Sequence, residues 1–259
     1  MKLSNLKDGD KLKFTIIGLP RSGTTLMAKI MNSIDGVKCL SEPIRSMHSS
    51  NLKTKKRISI TDLEIIDQGT DSFLSGYHKY IDNSPTINIG GVKETYSPVP
   101  SRINREVNKV IDKCDFIIFM LREPKANFSG WKQLKWNKSG ILKPRFGYNV
   151  DMFVKIYEDY VTQYHETKMI KPTFLIRYED LCENFSTNWM NRIFRGYLKF
   201  DGEFSKFDKL LGNGDSICIN SDNINKPRTR FSNLDIDEVN IINDKLSKDY
   251  KDLRGYGYY

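Results

Sequence analysis

The 259-residue chain carries 41 lysines and arginines against 32 aspartates and glutamates, a formal charge of +9. Its 39% hydrophobic and 12% aromatic content excludes an intrinsically disordered chain, and no apolar run approaches the ~20 residues of a membrane-spanning helix. That length can bury one substantial α/β core, so a single domain over residues 1–259 is expected, with residues 1–12 as a polar N-terminal tail. The tail reads as neither signal peptide nor anchor. Four scattered cysteines suggest neither zinc nor a disulfide framework, so a cytoplasmic location is expected.

In chain order, an apolar strand over Phe14–Ile17 enters a Gly/Pro/Ser turn, and a helix over Thr24–Ser33 leaves it. A strand over Val37–Leu40 is followed by Glu42, and a glycine-interrupted helical stretch covers Asp62–Tyr80. Next come a strand over Thr86–Gly91 leading to Lys93, a helix over Val99–Asp112, and a buried strand over Phe116–Leu121 that ends in Arg122. Pro124 suits the first turn of a helix expected over Pro124–Trp136. A helix over Asp151–Met169, a strand over Thr173–Ile176, and helices over Ser186–Leu198 and Asp235–Leu253 complete the pattern. The last two are joined by a polar connection around Gly212–Pro227. Strands alternating with helices imply a parallel sheet covered on both faces, with ligands bound outside the carboxyl ends of the strands.

Strand, tight loop and helix N-terminus together make a cradle for phosphate, built from backbone N–H groups and the helix dipole. The spacing Gly18-x4-Gly23 matches the ATP-binding P-loop, but Thr24 stands where that loop has the lysine that reaches the outer phosphates. A phosphate-like ligand other than ATP is expected.

The segment Pro20-Arg21-Ser22-Gly23-Thr24-Thr25-Leu26 resembles the 5′-phosphosulfate loop of the sulfotransferases that use 3′-phosphoadenosine-5′-phosphosulfate (PAPS). Arg21 is similar to the arginine of tyrosyl-protein and carbohydrate members. The segment from Arg122 to Trp131 resembles the family's 3′-phosphate motif, an arginine at a strand end and a serine in the next helix. The family's serine falls eight residues after the arginine, which is Gly130 here; Ser129, one residue and about 100° of helix earlier, is the candidate. Arg177-Tyr178-Glu179-Asp180-Leu181 resembles a strand-to-helix segment of the family and reads as structural, with Arg177 and Glu179 as a pair. Arg228 and Arg230 fall where the family often has a basic loop over the nucleotide's 3′ side, or lie in a solvated loop.

The resemblance implies a P-loop NTPase-like three-layer sandwich with a central parallel sheet. It implies a nucleotide site formed by Pro20, Arg21, Ser22, Gly23, Thr24, Thr25, Arg122, Ser129, Arg228 and Arg230. It also implies sulfuryl transfer from PAPS, as donor co-substrate, to a hydroxyl or amine. No metal is expected, because a sulfonate carries less charge than a terminal phosphoryl group.

In-line transfer needs positioning, charge stabilisation and a base. Arg21 and the loop serve the first two. Glu42 is the candidate base, its plain alternative being a solvent-facing carboxylate or a pair with Arg45; His48 is the rival base. Lys93 either stabilises the sulfonate, binds acceptor or pairs with Glu94. His78 and His165 fall in helical stretches and read as structural. The positive charge suits an anionic donor. A basic run at Lys53–Arg57 stands near Glu42 in sequence, and Trp131–Arg145 interleaves aromatics with lysines, as a solvated face or a sugar-binding surface. A carbohydrate is the favoured acceptor, then peptide tyrosine or a small alcohol; no nucleic-acid partner is expected. The alternatives are a kinase using Mg·ATP on a small molecule and a non-catalytic nucleotide- or polyanion-binding protein.

Overall fold

The computed structural model of the chain describes residues 11–44, 69–96, 102–132, 149–183 and 233–253. Five strands form one sheet: β1 (Leu12–Gly18), β2 (Val37–Ser41), β3 (Ile89–Thr95), β4 (Phe116–Leu121) and β5 (Thr173–Arg177). Every pairing is parallel and the order is β2-β3-β1-β4-β5, so β1 lies at the centre. The described helices are α1 (Thr24–Asn32), α2 (Thr70–Asn83), α3 (Arg102–Lys113), α4 (Pro124–Lys132), α5 (Val150–Ile170), α6 (Tyr178–Glu183) and α7 (Ile236–Asp252).

Side chains alternate across the strands, and that period sorts the core into layers. Phe14 and Ile16 of β1 join Phe116, Ile118 and Met120 of β4 on the face covered by α1, through Leu26, Met27, Ile30 and Met31. Ile17 of β1 joins Ile117, Phe119 and Leu121 on the opposite face, beneath α3, α4, α5 and α7. A third cluster seats Phe73, Tyr77 and Ile81 of α2 over Val92. The molecule is therefore an α/β three-layer sandwich around a parallel sheet. No described helix is long and apolar enough to cross a membrane.

Local chemistry sets the helix ends. Asn149 Oδ1 accepts from Met152 N at 2.8 Å to start α5. α7 opens with a reciprocal capping box, Glu238 N to Asp235 Oδ1 at 2.8 Å and Asp235 N to Glu238 Oε2 at 3.0 Å. On α5, Tyr160 OH donates to Ile17 O and Met120 O, both at 3.0 Å, pinning together the carboxyl ends of β1 and β4.

Two strands differ from expectation. β1 begins at Leu12, within the stretch read as tail, because Leu12 is buried and pairs with Ile89. β3 runs to Thr95 instead of ending at Gly91, because its polar end is buried and its side chains find partners on the chain that follows β2. Lys93 and Thr95 donate to Glu42, and Glu94 Oε1 accepts from Ile44 N at 2.6 Å. The expected helix Ser186–Leu198, the connection around Gly212–Pro227 and the start of the stretch from Asp62 lie outside the described residues.

Candidate functional site at the carboxyl edge of the sheet

At the carboxyl end of β1 the chain turns sharply through Leu19–Gly23 and enters α1. Arg21 takes a left-handed φ of 68° and Gly23 one of 95°. Gly23 is the N-cap of α1 and supplies no side chain to it, so the first-turn N–H groups face outward with the positive end of the helix dipole. A Cβ on Gly23 would stand 2.5 Å from Cδ2 of Tyr178, so both φ and space require glycine there. The Ser22 hydroxyl is buried and has no hydrogen-bond partner. Thr24 is buried and Thr25 half-buried.

The loop is held from behind by α4. Asn127 Nδ2 donates to Pro20 O at 2.9 Å, and Trp131 Nε1 donates to the same carbonyl at 2.6 Å. These residues are four apart and so share one helix face. Arg122 Nη1 donates to Arg21 O at 2.9 Å. Three donors, two from α4 and one from the end of β4, thus hold two consecutive carbonyls of the loop. Arg122 also lies 4.6 Å above the Tyr178 ring, and its Nε is buried without a partner.

Glu42 occupies the corresponding position after β2. Its φ of 53° makes it, with Arg21, one of two non-glycine residues at positive φ among those described. Its N–H donates to Lys93 O at 2.7 Å. Oε1 accepts from Lys93 Nζ and from Thr95 Oγ1, each at 2.6 Å. Lys93 and Thr95 are two apart on β3 and share one face of the sheet. The Lys93 side chain is 4% exposed and that of Glu42 31%, so a buried ammonium fixes a carboxylate that still reaches solvent. Thr95 pairs with Gly18, the residue at which the loop begins. Glu42 and the loop therefore lie on one edge, separated by the single strand β3. Lys93 sits inside β3 and pairs with Glu42, not Glu94.

Ser129 goes elsewhere. It is buried, its Oγ donates to Asn233 Oδ1 at 2.6 Å, and Asn233 Nδ2 returns a bond to Ser129 O at 3.0 Å. Gly130 faces the loop instead: a Cβ there would lie 3.0 Å from Arg21 Cβ and 3.7 Å from its Nε. Trp131 is buried behind the loop, and Lys132 is exposed and pairs with Glu238. Arg177 pairs with Asp180, Nε to Oδ2 at 2.7 Å, in place of the expected Glu179. Glu179 accepts from Glu123 N and from Tyr250 OH, each at 3.0 Å, and burial pushes its carboxyl above the usual glutamate range. His48, Arg45, Arg228, Arg230, the run Lys53–Arg57 and the rest of Trp131–Arg145 lie outside the described residues.

Sequence reasoning missed Asn127, Thr95, Tyr178 and Asn233 as parts of this edge. The i, i+4 spacing of Asn127 with Trp131, and Thr95 two residues beyond Lys93, were the available signals. A scan against protein-family models and a search of curated proteins both find no match to this chain.

Proposed function

We propose that the chain is a sulfotransferase that moves the sulfuryl group of PAPS to a hydroxyl or amine acceptor. The observation that carries this reading is the placement of backbone strain. Arg21 and Glu42 hold left-handed conformations that cost of order 1 kcal/mol or more, and both stand at the carboxyl edge of one sheet. Strain held at that edge is the mark of a site.

The parts suit an anionic nucleotide. The uncapped start of α1, the orphaned Ser22 hydroxyl and the buried Arg122 Nε are donors that an anion would satisfy. Thr24 in the place of lysine favours a sulfuryl over a terminal phosphoryl group. In this reading the loop N–H groups, with Thr24 and Thr25, hold the oxygens of the 5′-phosphosulfate. Lys93 adds positive charge beside them, and Glu42, which it pairs with, takes the proton released by the acceptor. The acceptor oxygen bonds to sulfur as the bond from sulfur to the 5′-phosphate oxygen breaks, leaving adenosine 3′,5′-bisphosphate.

Calorimetric titration of the full chain with adenosine 3′,5′-bisphosphate, 5′-AMP and Mg·ATP tests the reading. Tight binding of the bisphosphate, followed by sulfuryl transfer from PAPS in an acceptor screen headed by carbohydrates, is the expected result. Preference for Mg·ATP with no gain from the 3′-phosphate would replace it with the kinase reading. Binding of the bisphosphate with no transfer to any acceptor class would leave a nucleotide-binding protein.

A further inference from the structure

We propose that Arg21, laid across Gly130, is the second reader of the nucleotide's 3′-phosphate beside Arg122, and that Ser129 is a clasp between α4 and the turn that leads into α7 instead of a phosphate ligand. This rests on the nucleotide-binding part of the reading above. Its first ground is donor arithmetic. A serine hydroxyl has one proton, and that of Ser129 is donated to Asn233 Oδ1 at 2.6 Å while Asn233 Nδ2 holds the Ser129 carbonyl. With its proton committed, Ser129 would turn only lone pairs toward an anion. Donating to phosphate would require breaking its buried bond to Asn233.

The second ground is space. Eight residues after Arg122 stands Gly130, and a Cβ there would lie 3.0 Å from Arg21 Cβ, 3.3 Å from Cγ and 3.7 Å from Nε. A side chain at position 130 would crowd the observed course of Arg21, whose stem would have to give by a few tenths of an ångström. The Arg21 stem runs over the position where the family's serine falls, and carries its Nε there.

The third ground is the link between the two arginines. Arg122 Nη1 donates to Arg21 O at 2.9 Å, so the loop residue and the strand-end residue are fastened together. The left-handed φ of 68° at Arg21 belongs to the same arrangement. Two guanidiniums can grip one phosphate by paired charge-assisted bonds, a stronger arrangement than one arginine and a hydroxyl.

The test is the ratio of affinities for adenosine 3′,5′-bisphosphate and 5′-AMP, measured calorimetrically on the wild-type protein, Ser129→Ala and Arg21→Gln. Circular dichroism establishes that each is folded. Ser129→Ala is expected to keep the ratio within about twofold, and Arg21→Gln to lower it by about tenfold or more. Gly130→Ser is a separate check and is expected to lower the ratio by displacing Arg21. Loss of the ratio in Ser129→Ala, an unchanged ratio in Arg21→Gln, or a rise in Gly130→Ser would each overturn the proposal. If Ser129→Ala does not fold, the other two variants decide. A wild-type protein that transfers sulfuryl from PAPS but fails these arms loses this inference alone. One that binds neither nucleotide loses the sulfotransferase reading too.

Discussion

At Glu42 a left-handed backbone, a buried ammonium and a threonine hydroxyl converge on one carboxylate. Alternation along β2 would send residue 42 to the face opposite Ser41, and the positive φ breaks that alternation. Lys93 and Thr95 then hold the carboxylate on their side of β3, and in the proposed reading an acceptor approaching the loop would meet it there as the base. Glu42→Gln keeps an oxygen for both donors while removing the base. Bisphosphate affinity is expected to stay within about threefold, and single-turnover transfer to fall by about 100-fold or more. Transfer at the wild-type rate would remove Glu42 from the mechanism. Lys93 was legible from sequence as a lysine near a strand end. Its partner was not, because a strand read as ending at Gly91 gives no register to bring residue 93 beside residue 42.

Among the elements, α4 has the largest part in shaping the loop. Its Asn127 and Trp131 share the Pro20 carbonyl, and the strand end before it supplies Arg122 to the next carbonyl. Asn127→Ala should therefore weaken binding more than folding. About 1 kcal/mol of stability is expected to go with one hydrogen bond. Bisphosphate affinity should drop by about tenfold as the loop's N–H groups lose their fixed aim. Comparing urea midpoints with calorimetric affinities separates the two effects, and an equal loss in both would make Asn127 a plain core residue. The alternating elements and the strand-loop-helix unit were readable from hydrophobic period and glycine spacing, since both are local signals. The frame behind the loop was not readable, because its contacts join residues more than a hundred positions apart, as with Asn127 and Pro20. Ser129 shows the same limit: its partner Asn233 lies 104 residues away, and nothing in the local sequence marks the pair.

For the molecule as a whole, the carboxylate of Glu179 connects regions distant in sequence. It joins the second residue after β4, through Glu123 N, to α7, through Tyr250 OH. Burial is the main cause that raises its pKa above the ordinary 4.5, and its hydrogen bonds and Arg122 oppose the shift. A carboxyl whose pKa rises on folding binds its proton more tightly in the native state. Its stabilising contribution is full below the unfolded-state value and is lost as pH rises through the higher native value. Glu179→Gln cannot ionise, so its urea midpoint relative to the wild-type protein should climb as pH rises above the ordinary glutamate value of 4.5. A pH-independent difference would show that Glu179 does not titrate in this range.

The position of β1 has a consequence for how the site comes apart. β1 is paired along its length on both sides, with β3 over seven register positions and with β4 over five. β2, which delivers Glu42, is held in the described sheet by β3 alone. Fluctuations that peel an outer strand are cheap, while releasing a central one means opening the whole sheet. The anion cradle thus hangs from the strand whose amide protons should be last to exchange with solvent, and Glu42 from one of the first to fray. In the proposed reading, a nucleotide would stay gripped through motions that momentarily withdraw the proposed base, so a captured donor could wait, unreacted, for an acceptor to arrive.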